Sequence, residues 1–341
     1  MTCLRDYGYG GSLLRRTEIF LNGITELANL HRIDAEVMLV VWNPSPGEPP
    51  LHEVLAVPRF LGRVSVRIVV VPPALHRTLP NGDRIPFFEP IGKNVGLRRA
   101  RGEYWLATNP DLLYTDAVFR FLASGLEPGT LYRMDRHDVG SDVPHPLPIG
   151  RQLAFCARHV AGVHTGYASI TFPSLVKVGR FRRTPRLQRQ IERECRDQRR
   201  GPDHLPYTDQ VLYVRDGIHT NASGSFLLMH RRHWEAMRGH PEFHTRGHAD
   251  SVTTWAALTH GLEQRVLRPP CFLFHQPHGR GEQGDWPQTD WKIWYKRYRK
   301  KMIARQPLVI NDPTWGFPAE RFEEWVLQPT SSGQSRWEKA P

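Results

Sequence analysis

The sequence predicts an α/β protein with a parallel sheet, and three short runs carry that prediction. Glu36–Trp42 (EVMLVVW) and Arg63–Val71 (RVSVRIVVV) are nearly continuous apolar segments, the second rich in β-branched residues. Short runs without polar alternation fit strands covered on both faces, as parallel sheets require. Glu103–Thr108 (EYWLAT) is a third such strand. Helical patterns alternate with these runs, which implies βαβ units.

Taken in order, Leu13, Phe20, Ile24 and Leu27 fall at helical spacing within residues 12–32 and define an amphipathic helix. Turn-rich Asn43-Pro44-Ser45-Pro46-Gly47 ends the first run, and Pro72-Pro73 ends the second. Asn94 to Arg101 reads as a short helix closed by Gly102, with Lys93 and Asn94 at its N-terminal end. Asn109-Pro110-Asp111 then breaks the third strand at its carboxyl end, where open sheets of this kind bind ligands. A purely structural turn would have the same local sequence.

Residues 179–204 form an Arg-dense stretch, which suits a solvated helix or a surface for an anionic acceptor. A helix is expected from Arg231, another over Val252–His260, and a strand over Gln264–Phe274 that leads into His275-Gln276-Pro277-His278-Gly279. Trp291, Trp294, Tyr295 and Tyr298 follow at i, i+3, i+4 and i+7, interleaved with lysines and arginines. That stripe either packs on the domain or lies in a membrane interface. The last dozen residues, TSSGQSRWEKAP, read as a disordered tail.

With 46 Lys and Arg against 34 acidic residues, the net charge of +12 favours phosphate-bearing partners. The basic residues are scattered and no recognition module is visible, so nucleic acid is not the expected partner. The chain has no run of 18 apolar residues and no signal-peptide core at Met1 to Asp6. Its four cysteines form no CxxC pair. These features suit a cytoplasmic protein.

The segment Ile91-Gly92-Lys93-Asn94-Val95-Gly96-Leu97-Arg98-Arg99-Ala100-Arg101-Gly102, followed by Ala107-Thr108-Asn109-Pro110-Asp111, resembles the inverting glycosyltransferases of the GT-A fold. The large family two-like group is the nearest, with its KN-x-G-x-R-x-A-x-G helix before an Asp-x-Asp-type motif. Here Asn109 replaces the first acidic residue. Arg5-Asp6-Tyr7-Gly8-Tyr9-Gly10-Gly11 resembles the family's nucleotide-facing loop, and Asn81-Gly82-Asp83-Arg84 a segment near the nucleoside. His248-Ala249-Asp250-Ser251 resembles the acceptor-side acidic motif, and His275 the late metal-completing histidine.

The resemblance implies a three-layer α/β/α protein with a mixed central sheet. It divides into a donor half (1–140), an acceptor and catalytic half of the same domain (141–285), an aromatic and basic helical segment (286–328) and the tail (329–341). It implies transfer of a sugar, in the hexosyltransferase class, from a UDP-, GDP- or TDP-sugar to a saccharide or lipid-linked acceptor. A surface polysaccharide, a glycolipid or a glycosylated metabolite would be the product. A Mn²⁺ or Mg²⁺ ion would stabilise charge on the leaving diphosphate. Asp111 and His275 are its expected ligands, with His278 a close competitor to His275. Arg5, Asp6, Asp83, Lys93, Asn94, Arg98, Asn109 and Asp111 would contact the donor, Lys93, Asn94 and Arg98 at a phosphate-favouring helix N-terminus. Asp250 would be the base that deprotonates the acceptor hydroxyl, although an Asp-Ser pair there is equally a helix N-cap. Peripheral contact with the inner face of a membrane would run through residues 286–301. Nucleotidyl transfer on a similar fold, or nucleotide-sugar binding without turnover, are the competing readings. Only Met1 to Leu4 precede Arg5-Asp6, so the fold's first strand is expected to be abbreviated or to begin upstream.

Overall fold

The computed structural model describes residues 1–58, 60–164, 169–171, 218–279, 284–329 and 335–340. The Arg-dense stretch 179–204 and Cys195 lie outside the described residues.

The three apolar runs become strands β2 (Ala35–Trp42), β3 (Val64–Val71) and β4 (Tyr104–Ala107). Ahead of them Thr2–Leu4 forms β1, a buried three-residue strand parallel to β2. Its other edge reaches β4: the Met1 nitrogen donates to Leu106 O at 2.9 Å, and Thr108 N donates to Met1 O at 3.0 Å. Two slanted bonds flanking Ala107 are one step of a parallel ladder. β1 therefore lies between β2 and β4, near the centre of the sheet.

β2 explains why its sequence does not alternate. Val37, Leu39 and Val41 face one core together with Ile19 and Phe20 of helix α1 (Leu13–Leu30). Met38, Val40 and Trp42 face a second core with Ile91 and Val95 of α4 (Glu89–Leu97). Ser12 caps α1, its hydroxyl accepting from Arg15 N at 3.3 Å. Between them lie the short α2 (Leu51–Val54) and α3 (Pro73–His76). Gly92 and Gly96 let α4 approach β1: a Cβ at Gly92 would stand 2.3 Å from Cys3 Sγ, and one at Gly96 would meet the Met1 side chain.

After β4 come β5 (Leu112–Tyr114), α5 (Asp116–Ala123), β6 (Thr130–Met134), β7 (Arg136–Val139), α6 (Ile149–Cys156), β8 (Val160–His164) and β9 (Ser169–Thr171). Beyond residue 217 the described chain resumes with β10 (Leu227–His230), α7 (Arg231–Met237), α8 (Ala249–Thr259), β11 (Glu263–Leu267), β12 (Leu273–His275) and α9 (Trp291–Ile303). β10 runs antiparallel between β4 and β6, while β11 is parallel to β6, so the sheet is mixed. A second sheet, in the order β5-β12-β7-β8-β9, carries the candidate site.

Four expectations need correction. The helix expected at Asn94–Arg101 starts at Glu89 and ends at Leu97, with Pro90 in its first turn. The single strand expected over Gln264–Phe274 is two, β11 and β12, in different sheets. The polar tail is not disordered as a whole: Ser335–Lys339 forms β14, paired with β13 (Glu323–Pro329), which in turn pairs with β3. Trp325 and Trp337 anchor that hairpin against the core, and buried Arg67 ties Glu36 (3.2 Å) to Glu324 (3.5 Å). The helical segment set at 286–328 therefore overlaps a strand of the main sheet. Of the two settings open to the aromatic stripe of α9, packing on the domain is the one observed, with Tyr295 and Tyr298 buried against Trp255 of α8.

Candidate metal centre

Strand register brings the site together from three distant segments. β12 pairs with β5 so that His275 lies opposite Leu112, and Gln276 N donates to Asp111 O at 2.9 Å. On its other side β12 pairs with β7, placing His275 beside Asp138. Pro277 then turns the chain, and His278 comes back toward the same point. Asp111 Oδ2 is 3.4 Å from His275 Nε2 and 3.5 Å from His278 Nε2, and the two Nε2 atoms are 3.2 Å apart.

Asp111, His275 and His278 could hold a metal ion, each offering one ligand atom within 4.8 Å of the others. Asp111 Oδ1 is buried with no hydrogen-bond partner among the described residues. A carboxylate oxygen in that state is costly unless a cation or donor meets it. One carboxylate with two imidazoles suits Mn²⁺ and its transition-metal neighbours better than Mg²⁺, which favours oxygen and water.

The electrostatics match a site built for positive charge. Burial alone would raise the Asp111 carboxyl, but His275, His278 and Arg16 outweigh it and hold the pKa below the usual range. Burial disfavours charge on His275, yet Asp111 and Asp138 overcome this and push its pKa up to about 9. Asp138 Oδ1 stands 3.3 Å from His275 Nδ1, while its carboxylate also meets Arg136 at 2.9 Å and His164 at 2.9 Å. A carboxylate on the far nitrogen of a metal-ligating histidine orients the ring and raises its basicity. Asp138→Asn is expected to lower metal affinity roughly 10- to 100-fold, read by calorimetric titration with Mn²⁺. Unchanged affinity would remove Asp138 from the site.

A cleft of about 590 Å³ opens beside His278, lined among others by Gly10, Ser12, Arg15, Asp142 and Pro277. Arg16 shapes one wall, donating to Tyr9 O at 2.5 Å and Gly10 O at 3.2 Å. Gln276 fastens that wall to the loop carrying His275 and His278 by donating to Arg16 O at 3.0 Å.

The other candidates fall into two groups. Lys93 and Asn94 lie within α4, not at its N-terminus, so they have no helix-end amides to share with a phosphate. Asn94 is fully buried, donating to His240 O (2.8 Å) and Glu242 Oε1 (3.0 Å) while accepting from His240 N (2.7 Å). It is a packing residue. Arg98 stacks over Trp315 at 4.7 Å. Asn109 is drawn toward Lys93, whose ammonium lies 2.7 Å from its Oδ1, 2.6 Å from Glu89 and 3.3 Å from Gly224 O.

Asp250 lies in the first turn of α8, where the N-cap is His248. Its Oδ2 accepts from Ser223 Oγ at 2.8 Å and Gly224 N at 2.6 Å, and its Oδ1 from Ser251 N at 2.9 Å. Gly224 and Lys93 thus link Asp250 to Asn109. Arg5 and Asp6 follow β1, and Asp6 accepts from Gly8 N at 2.9 Å. Asp83 is exposed on the turn after α3. No hydrogen bond or ion pair among the described residues joins Arg5, Asp6 or Asp83 to the Asp111 group.

Asp138, His164 and Gln276 were not singled out by sequence reasoning. Asp138 meets His275 through the pairing of β7 with β12, His164 meets Asp138 through the pairing of β7 with β8, and Gln276 reaches back to α1, so none of the three leaves a local signal. Compared with protein-family models and with curated proteins, the chain matches none.

Proposed function

We propose that the protein is a metal-assisted glycosyltransferase of the GT-A, family two-like type, transferring a sugar with inversion from a nucleoside-diphosphate sugar to a hydroxyl acceptor. The observation that carries this reading is the Asp111–His275–His278 group beside a cleft walled by Gly10 to Arg16. A mixed sheet with a helix packed on each face of its parallel half supports it.

In this reading Asp111, His275 and His278 hold a divalent cation, Mn²⁺ by their donor set. Such an ion neutralises charge that builds on the departing diphosphate. Arg15 and Arg16 place cationic side chains along the cleft, where they favour the same anion. Asp250 accepts the proton of the attacking hydroxyl, held in place by Ser223 and Gly224. Asn109 contributes through Lys93 rather than as a ligand, which leaves one carboxylate to do what two do in the resembled family.

Thermal shift with UDP-, GDP- and TDP-sugars in the presence of Mn²⁺ tests the reading, followed by product analysis of any stabilising donor. Stabilisation by one nucleotide class and release of the free nucleoside diphosphate are expected. Release of pyrophosphate would point instead to nucleotidyl transfer, and no shift with any donor would overturn the reading.

A further inference from the structure

The inward turn of the α9 aromatics leaves an outer face made of quite different residues. Six of the thirteen residues in Trp291–Ile303 are Lys or Arg, and none is acidic. Ile293 is 61% exposed and Ile303 is 82% exposed. Ten residues at about 1.5 Å per residue and 100° per step place these isoleucines roughly 15 Å apart on one side of the helix. Lys296 and Lys300 are exposed between them on the same arc, without an acidic partner among the described residues. Met302 and Val309 add exposed apolar surface at the C-terminal end.

We propose that this outer face of α9 docks the protein onto an anionic lipid surface. Two chemical requirements meet there. The lysines are attracted to acidic headgroups, and the isoleucines gain by entering the boundary between headgroups and acyl chains. A nucleic acid would satisfy only the first, because the rings on which bases would stack are turned inward, Tyr295 and Tyr298 against Trp255, Trp294 against Phe243 and Trp291 against His248. The membrane face is therefore opposite to the one the aromatic stripe suggests. Tyr295 and Tyr298 act as the seat that fixes the helix to α8, and the isoleucines and lysines are what it presents. This docking does not depend on the sugar-transfer reading.

Flotation of the full chain with vesicles tests it. Phosphatidylcholine vesicles are compared with phosphatidylcholine containing phosphatidylglycerol, at low and high salt. Wild type is expected to bind only the anionic vesicles and to be released by salt. The pair Lys296→Glu and Lys300→Glu should weaken binding at least about tenfold, and the pair Ile293→Ser and Ile303→Ser by a factor of about ten or more. Both pairs should melt as wild type does and keep any nucleotide-sugar thermal shift, because all four side chains are exposed. Failure of wild type to bind anionic vesicles would overturn the proposal. So would loss of binding in the lysine pair with none in the isoleucine pair, accompanied by capture of an RNA oligonucleotide. That outcome would define a polyanion surface without lipid insertion.

Discussion

Asp111→Asn is expected to abolish Mn²⁺ binding while leaving the fold intact. The substitution keeps the shape of the side chain and removes the one carboxylate of the metal group. The remaining imidazoles then lose both a ligand and the charge that balances the ion. An outer-sphere partner typically costs roughly 10- to 100-fold in affinity, and loss of this directly ligating carboxylate should exceed that range. The same change acts on His275 without metal, because Asp111 is the largest of the influences that raise its pKa to about 9. In the wild-type fold His275 holds a proton between its unfolded value near 6.5 and about 9. Its contribution to stability is therefore fully present below pH 6.5 and is lost as pH rises through 9. In the variant that loss should begin at lower pH. Metal and proton compete for the same nitrogen, so wild-type Mn²⁺ affinity should climb with pH until His275 is deprotonated. Calorimetry across pH 7 to 9 measures both effects; Mn²⁺ binding by Asp111→Asn at wild-type strength would sink the assignment.

Much of the fold was legible because burial on both faces leaves a local mark. The runs at Glu36–Trp42 and Arg63–Val71 form strands whose alternate residues feed two separate cores. The site was legible only in part. Asp111 and His275 stand at strand ends, where a break in pattern shows in the sequence, and His278 follows within the same loop. Asp138 shows nothing locally, because its meeting with His275 depends on the parallel register of β7 and β12. The misplaced start of α4 had a specific cause. Glu89-Pro90 opens that helix, but Gly92 and Gly96 weaken its helical signal while serving its close approach to β1. The shift of five residues moved Lys93 and Asn94 from a helix end to its interior, where Asn94 bonds to His240 and Glu242 and Lys93 reaches Glu89 and Asn109. β14 was missed for a related reason: a polar segment with a single Trp has too little apolar content to announce a strand, and β13 supplies the pairing.

Arg133→Met is expected to destabilise the fold by about 3–5 kcal/mol. Arg133 is a fully buried guanidinium on β6 whose donors are taken up by backbone. It donates to Ser223 O at 2.8 Å, Asn221 O at 3.2 Å, His219 O at 3.4 Å and, very closely, Phe226 O. Burial lowers its pKa to about 10, against the pull of Asp250 and Asp135, so it remains charged at neutral pH. Methionine fills similar volume but takes the buried donor away from Phe226 O, a loss worth about 1–3 kcal/mol for a group left unpaired in the interior, and removes the cation facing two carboxylates, whereas Ser223 O keeps Phe226 N and His219 O keeps Gln264 Nε2. Lysine keeps the charge without the planar fork, so Arg133→Lys should fall between the two. Urea unfolding reads the difference as a lower midpoint with an unchanged slope. A loss below about 1 kcal/mol would mean that the 219–226 segment holds its shape without Arg133. The two substitutions also separate fold from site. The turn that Arg133 grips is the one that Asp250 holds from the other side through Ser223 and Gly224. If Asp250 is the base, Arg133→Lys should lower turnover more than it lowers donor binding, because the metal group lies in the other sheet and keeps its own support.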